Sequence, residues 1–213
     1  MPCPICEKRK PTRYCPAKGE SICAVCCGTG REVTIDCVAD CSYLLAAHRY
    51  EDEHPRAASP DMPLIDVDIR SDLHLTHAQF TAAILHNIAH FCVSQSEIRD
   101  PEVLMALQAL AETYKTLAAG IYYEKPPASR LAGELYAFMR EFFDKIKREI
   151  AQRTPQASPP KDGEMFQLLV LLYRHAYFRT NGRPRSRRFI EFLRQQFPES
   201  PQLKQPESRI IVP

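Results

Sequence analysis

Glycine is scarce in this chain, with seven in 213 residues, too few for the all-β sandwiches and barrels that turn every few residues. Net charge is scarce too. Lys and Arg number 28 against 26 Asp and Glu, a formal +2, which excludes an overall polycation and confines any nucleic-acid surface to a local patch. Long apolar runs are missing: the longest, Leu168 to Tyr173, is far below the roughly 20 residues that cross a bilayer. The opening MPCPICEKRK carries no apolar signal-peptide core. The chain also has no P-loop, no G-x-G-x-x-G, no G-x-S-x-G and no H-E-x-x-H. Together these absences predict a soluble cytoplasmic protein without a membrane partner and lean against an enzyme. The composition is globular, at 45% hydrophobic and 25% charged, and the length suits one medium domain or a small one joined to a medium one.

What the chain has in quantity is cysteine. Eight of the nine lie between Cys3 and Cys41, and only Cys92 stands apart. In a reducing compartment, clustered cysteines read as metal ligands rather than disulfides. Cys3-x2-Cys6 and Cys23-x2-Cys26 are two knuckles that together supply the four thiolates of a structural zinc site. Cys15, Cys27, Cys37 and Cys41 form a second set, so the cofactor expectation is two structural Zn²⁺ ions. Cys37 and Cys41 are spaced i, i+4, which aligns their sulfurs if a helix begins near residue 36. Arg31 to Ile35 before them alternates like a strand, and Ser42 to His48 after them reads as helix. His48 is the alternative to Cys27 as fourth ligand, but it lies seven residues past Cys41, about 10 Å along a helix.

The string C-x2-C-x7-Y-C-x6-I-C-x2-C followed by two more ligands, with Tyr14 before Cys15 and Ile22 before Cys23, resembles a B-box-type zinc finger or a related treble-clef-like cross-brace module. The resemblance covers residues 3–41 only. It implies a first site of Cys3, Cys6, Cys23 and Cys26, and a second that includes Cys15, Cys37 and Cys41. Lys18 stands where the family has a Cys or Asp ligand, and Cys27 is the residue left to replace it. Such modules bind protein partners and are not catalytic by themselves.

Beyond the head, residues 1–54, and a Pro- and Ala-rich linker, 55–63, prolines divide residues 64–213 into blocks that each hold one helix. Apolar residues recur at three- and four-residue steps: Phe80, Ile84, Ile88, Phe91; Val103, Leu107, Leu110, Tyr114; Leu131, Leu135, Phe138, Phe142. Met165 to Tyr173 is apolar nearly all round, which predicts a central helix. Helices are expected over about 77–94, 101–119, 129–153, 163–180 and 187–197, with Asp100 as an N-cap before Pro101. Leu64 to Arg70 alternates with period 2, so a strand is expected there, paired with 209–212. The predicted fold is mainly α: a two-zinc cross-brace head joined to a helical bundle with a short two-stranded β tie.

Two further groups carry chemistry. The segment Arg174–Arg194 holds seven arginines against one acid, Glu191, a formal +6 that leaves −4 on the rest of the chain. Its core, Arg183, Arg185, Arg187 and Arg188, straddles a helix–turn–helix-like break and suits phosphates or an acidic surface. His86 and His90 are spaced i, i+4 on one helix and offer two metal ligands, short of the three or four a site needs. Cys92, isolated among apolar residues, is expected to be a core thiol. The functional expectation is a non-catalytic zinc-binding adaptor that recognises a protein partner through its head and its arginine patch. The alternative is a nucleic-acid-binding regulator using residues 174–194, and a distant one is a metal-dependent helical-bundle enzyme built on His86 and His90.

Overall fold

The computed structural model describes residues 1–55, 57–153 and 159–197. It is mainly helical, with a two-stranded antiparallel sheet and a cysteine cluster at its N-terminal end. The sheet lies in the head, where β1 (Arg13–Cys15) pairs with β2 (Glu20–Ile22) in the register Arg13–Ile22, Tyr14–Ser21, Cys15–Glu20. Gly19, at φ +68°, closes the turn while its N–H and that of Lys18 donate to the Cys15 carbonyl. Two head helices follow, α1 (Ala24–Gly30) and α2 (Ser42–Glu53).

The body begins with the single turn α3 (Leu73–Thr76) and continues with α4 (Ala78–Ser94), α5 (Asp100–Ala118), α6 (Arg130–Arg153), α7 (Asp162–Arg179) and α8 (Arg188–Gln196). Helices α5 and α7 pack most extensively on each other; α6 packs on α5, α4 packs on α6 and α8, and α8 also touches α5 and α7. The apolar stripes meet there: Val103, Leu107, Leu110 and Tyr114 of α5 and Met165, Leu169, Val170 and Tyr173 of α7 are fully or nearly buried. Cys92 belongs to this core, where burial pushes its thiol pKa far up. The head has its own small cluster, in which Ile22 and Ile35 are the only buried residues that are not cysteine.

Several local expectations are corrected. Residues 64–70 form no strand. They run through successive turns, with Leu64 at φ +62°. Residues 209–212, the expected pairing partner, lie outside the described residues. A lone strand leaves its backbone groups unpaired; here Arg174 of α7 collects the carbonyls of Leu64 (2.7 Å), Ile65 (3.0 Å) and Val67 (2.6 Å) on one Nη. Leu64, Val67 and Ile69 meanwhile pack on the body core.

Residues 31–35 are likewise a turn, joined by one isolated Arg31–Ile35 bridge. The Gly30 carbonyl accepts the N–H groups of Val33, Thr34 and Ile35 at 3.1, 3.0 and 2.8 Å. A Cβ on Gly30 would sit 2.9 Å from Thr34 Oγ1, so this closure needs glycine. Helix α2 starts only at Ser42, with Cys41 as its N-cap, so Cys37 is not on a helix.

Asp100 is the first residue of α5 rather than its cap. Arg99 is the N-cap, and its N–H donates to Glu102 Oε2 at 3.0 Å. Asp100 serves a different helix. Its carboxylate accepts the Ser186 hydroxyl at 2.6 Å and the first free N–H groups of α8, from Phe189 at 3.1 Å and Ile190 at 3.2 Å. A helix start needs such acceptors; α8 takes its acceptor from 89 residues away. Burial pushes the Asp100 pKa up, while these three donors oppose that rise. Asp100→Ala strands them in a buried place and is expected to lower unfolding free energy by about 2–4 kcal/mol in urea titration. Ser186→Ala, which removes one donor only, should cost about 1 kcal/mol.

Candidate metal centre and the arginine junction

The metal centre is built from three local pieces. Residues 3–9 form a knuckle: the Cys3 N–H donates to the Arg9 carbonyl at 2.8 Å, the Glu7 N–H donates to the Cys3 carbonyl at 2.7 Å, and Glu7 turns the chain at φ +54°. The β1–β2 hairpin then reverses the chain. Cys23 follows as the N-cap of α1, and Cys26 lies in that helix's first turn. The motif of ligands in a first helical turn, expected around Cys37 and Cys41, is thus realised by Cys23 and Cys26.

These pieces bring Cys3, Cys6, Cys23 and Cys26 together with all four sulfurs within 4.8 Å of one another. Cys6 Sγ and Cys23 Sγ are 3.9 Å apart. A tetrahedron with metal–sulfur bonds of about 2.3 Å has edges of about 3.8 Å, so the spacing fits a first-row metal ion in a zinc-finger arrangement. Backbone donors support the anionic sulfurs, with the Cys23 N–H 3.3 Å from Cys3 Sγ and the Cys26 N–H 3.4 Å from Cys23 Sγ.

The thiols respond unequally to this crowding. Backbone N–H groups of Lys8 and Arg9 lower the pKa of Cys6 to about 6. Burial opposes ionisation of Cys3, yet N–H groups of Cys23, Cys6 and Ile5 bring its pKa below the ordinary thiol value. Cys26 is pushed up to about 12, first by its hydrogen bond to Cys23, then by burial and its sulfur neighbours. Four close thiolates repel one another; a divalent cation is the group that lets all four ionise.

The other four head cysteines are less tightly gathered. Among the described residues only the first set has three or more ligand atoms within 4.8 Å. Cys15 and Cys41 act as charged neighbours of Cys37, whose pKa is raised mainly by burial despite a backbone hydrogen bond from Glu32. Cys27, in the C-terminal half of α1, packs against the same cluster. His48 points elsewhere, its Nε2 lying 3.3 Å from Glu32 Oε2. His86 and His90 join no ligand group among the described residues. His86 meets Phe197 edge-on at 5.3 Å, and His90 stacks on Phe138 at 6.4 Å.

Two side chains of the arginine segment, Arg183 and Arg188, are turned onto the head. Arg183 donates to the carbonyls of Arg31 at 2.6 Å and Gly28 at 3.4 Å. Arg188, with 13% of its side chain exposed, pairs with Glu51 at 3.4 Å and with Asp52, both on α2. The Arg185 N–H donates to the Glu32 carbonyl at 2.9 Å, although its side chain is exposed. Arg187 donates to the Ser96 carbonyl at 2.8 Å, within the body. Arg99, outside the segment, adds a 2.8 Å bridge to Asp36.

Glu32, which nothing in its neighbourhood marks in the sequence, is the centre of the junction. It is 3% exposed and sits at φ +51°, where a non-glycine residue is strained. Its carboxylate accepts Asn181 Nδ2 at 2.6 Å and faces His48. Burial opposes its ionisation, but these partners hold its pKa below the ordinary value.

No protein-family model, characterised protein or solved structure matches the chain. Glu32→Ala removes the acceptor of Asn181 and is expected to cost about 2–3 kcal/mol. Amide exchange should rise in residues 28–36 and 180–188, while the core amides of α5 stay protected.

Proposed function

We propose that this chain is a non-catalytic interaction protein whose N-terminal module is folded by two structural zinc ions and recognises a protein partner. The observation that carries this reading is the closed set of four cysteine sulfurs. A site with four thiolates leaves no position for water or substrate, so its metal stabilises a fold rather than activating a nucleophile. The size of the head core argues the same way: two buried isoleucines cannot hold together some fifty residues, and small modules of this kind take their folding free energy from metal binding.

The second ion belongs to Cys15, Cys37 and Cys41, with Cys27 as the fourth donor, since the His48 ring is engaged with Glu32. The ligand pairs then interleave along the chain in a cross-brace of the B-box type. Exposed apolar side chains on the head, Ile5, Tyr14, Val25, Leu45 and Tyr50 among them, support partner recognition there. The nucleic-acid reading ranks second, because Arg183 and Arg188 would have to leave the head carbonyls and carboxylates they now hold.

Metal analysis of protein purified without oxygen should give two zinc ions per chain. Cys26→Ser, Cys37→Ser and Cys27→Ser should each reduce this to about one, and His48→Ala should leave it at two. A metal-free preparation that keeps its head folded would overturn the reading. Chelation should abolish amide protection across residues 3–41 and leave α5 and α7 protected, since the two cores are separate clusters. For the partner, Ile5→Asp with Val25→Asp should keep both metals and lose a crosslinked protein that the parent chain captures.

A further inference from the structure

Between the head and α8 lies a cleft of about 1140 Å³ whose walls are unusually rich in arginine. Most of its carboxylates are already satisfied: Asp36 by Arg99, Asp52 by Arg188, Glu97 by Arg130, Glu191 by Arg194, and Glu32 by His48 and Asn181. Asp40 is the one lining carboxylate without a basic partner among the described residues.

Four lining guanidiniums have no carboxylate within 4.0 Å among the described residues: Arg49 of α2, Arg179 at the end of α7, Arg185, and Arg187 before α8. They come from three places in the chain, α2, the end of α7 and the loop before α8, and line one concavity. The Arg179 guanidinium carbon lies over the Phe192 ring, 4.1 Å from its centroid. Arg187 has one Nη on the Ser96 carbonyl, and its Nε is buried with no hydrogen-bond partner. A buried donor left unpaired is costly and calls for a missing acceptor.

The geometry points to a binding site for a small polyphosphate ligand, of the nucleoside di- or triphosphate class, in this cleft. Guanidinium forks match phosphate oxygens two at a time, and four of them against one free carboxylate suit a ligand carrying several negative charges. Leu44, Leu45 and Phe192 line the same cleft and offer an apolar wall for a base. The volume, just above the roughly 300–1,000 Å³ of most small-molecule sites, leaves room for a triphosphate and its base. The arginines face a concavity between head and body, not a convex surface that could follow a duplex. This site is independent of the zinc reading, since it requires only that head and body stay joined.

Titration calorimetry on the full zinc-loaded chain, with ATP, inorganic tripolyphosphate and adenosine as probes, tests it. ATP should bind, tripolyphosphate should bind more weakly, and adenosine should not bind. Arg49→Ala with Arg185→Ala should weaken ATP at least about 10-fold. Both side chains are exposed and make no hydrogen bond among the described residues, so zinc content and melting temperature should not change. Arg148→Ala, an exposed arginine of α6 outside the cleft, should leave binding unchanged. Failure of ATP and tripolyphosphate to bind overturns the proposal, as does binding that the double variant leaves intact. Binding of a 20-nucleotide RNA that depends on Arg49 and Arg185, while tripolyphosphate neither binds nor competes, also overturns it and returns these arginines to a nucleic-acid surface.

Discussion

A buried carboxylate decides how the two parts of this protein sit together. Glu32 lies at the tip of the turn that Gly30 makes possible, and it is placed against α7's C-terminal loop rather than in water. Burying a charge is unfavourable unless it is paired and hydrogen-bonded. Asn181 and His48 supply that pairing at the carboxylate, the Arg185 N–H donates to the Glu32 backbone carbonyl, and Arg183 closes over the neighbouring carbonyls. Each of these partners comes from an element that must be correctly folded. The turn needs the cysteine cluster beneath it, and the 181–185 loop needs α7 ahead of it and α8 after it. Head and body therefore confirm each other through a single strained residue.

The α8 side of that junction rests on a second buried carboxylate. Asp100 holds the start of α8 from across the bundle, and Thr180 and Ser186 fill the space between, with Ser186 bonding both. Among the described residues, four of the five buried polar or charged ones, Glu32, Asp100, Thr180 and Ser186, lie in this region, and Thr113 is elsewhere. A polar network of this kind is costly when incomplete and specific when complete. It fixes the angle at which the arginine loop meets the head, which apolar packing alone would leave loose.

How much of this could be read from the sequence depends on the range of the interaction. Helix positions and the central place of Met165–Tyr173 were legible because 3.6-residue periodicity is local: three apolar stripes repeat it, and the fourth segment is apolar nearly all round. The set Cys3, Cys6, Cys23 and Cys26 was legible for the same reason: Cys-x2-Cys keeps its two sulfurs close, in a knuckle at residues 3–9 and in the first turn of a helix at 23–26. The 64–70 strand was misread because alternation reports burial on one side, and turns held by Arg174 bury Leu64, Val67 and Ile69 as well as a strand would. Asp100 looked like a local cap since Asp-Pro-Glu is a helix-start pattern, yet its acceptor capacity is used 89 residues away. Glu32 had no signal at all. Its importance comes from a left-handed backbone and three partners, none of which a linear pattern encodes.

The arginine segment shows why net charge was a poor guide. A formal +6 concentrated in 174–194 faces a head whose own acids, Asp36, Glu51 and Asp52, and whose cysteines when ionised carry the opposite sign. Complementary charge on two parts of one chain gives attraction without a large total, so +2 is compatible with a strongly polarised interior. The attraction does not consume every arginine. Arg183 and Arg188 are held by head carbonyls and carboxylates in geometries that fold the molecule. Among the described residues Arg49, Arg179 and Arg185 meet no acid, and neither does Arg187, whose Nε is buried without an acceptor there. A junction needing only cohesion gains nothing from four guanidiniums gathered in one cleft, because like charges there repel one another. Their convergence on one cleft is accounted for by an anion that belongs there.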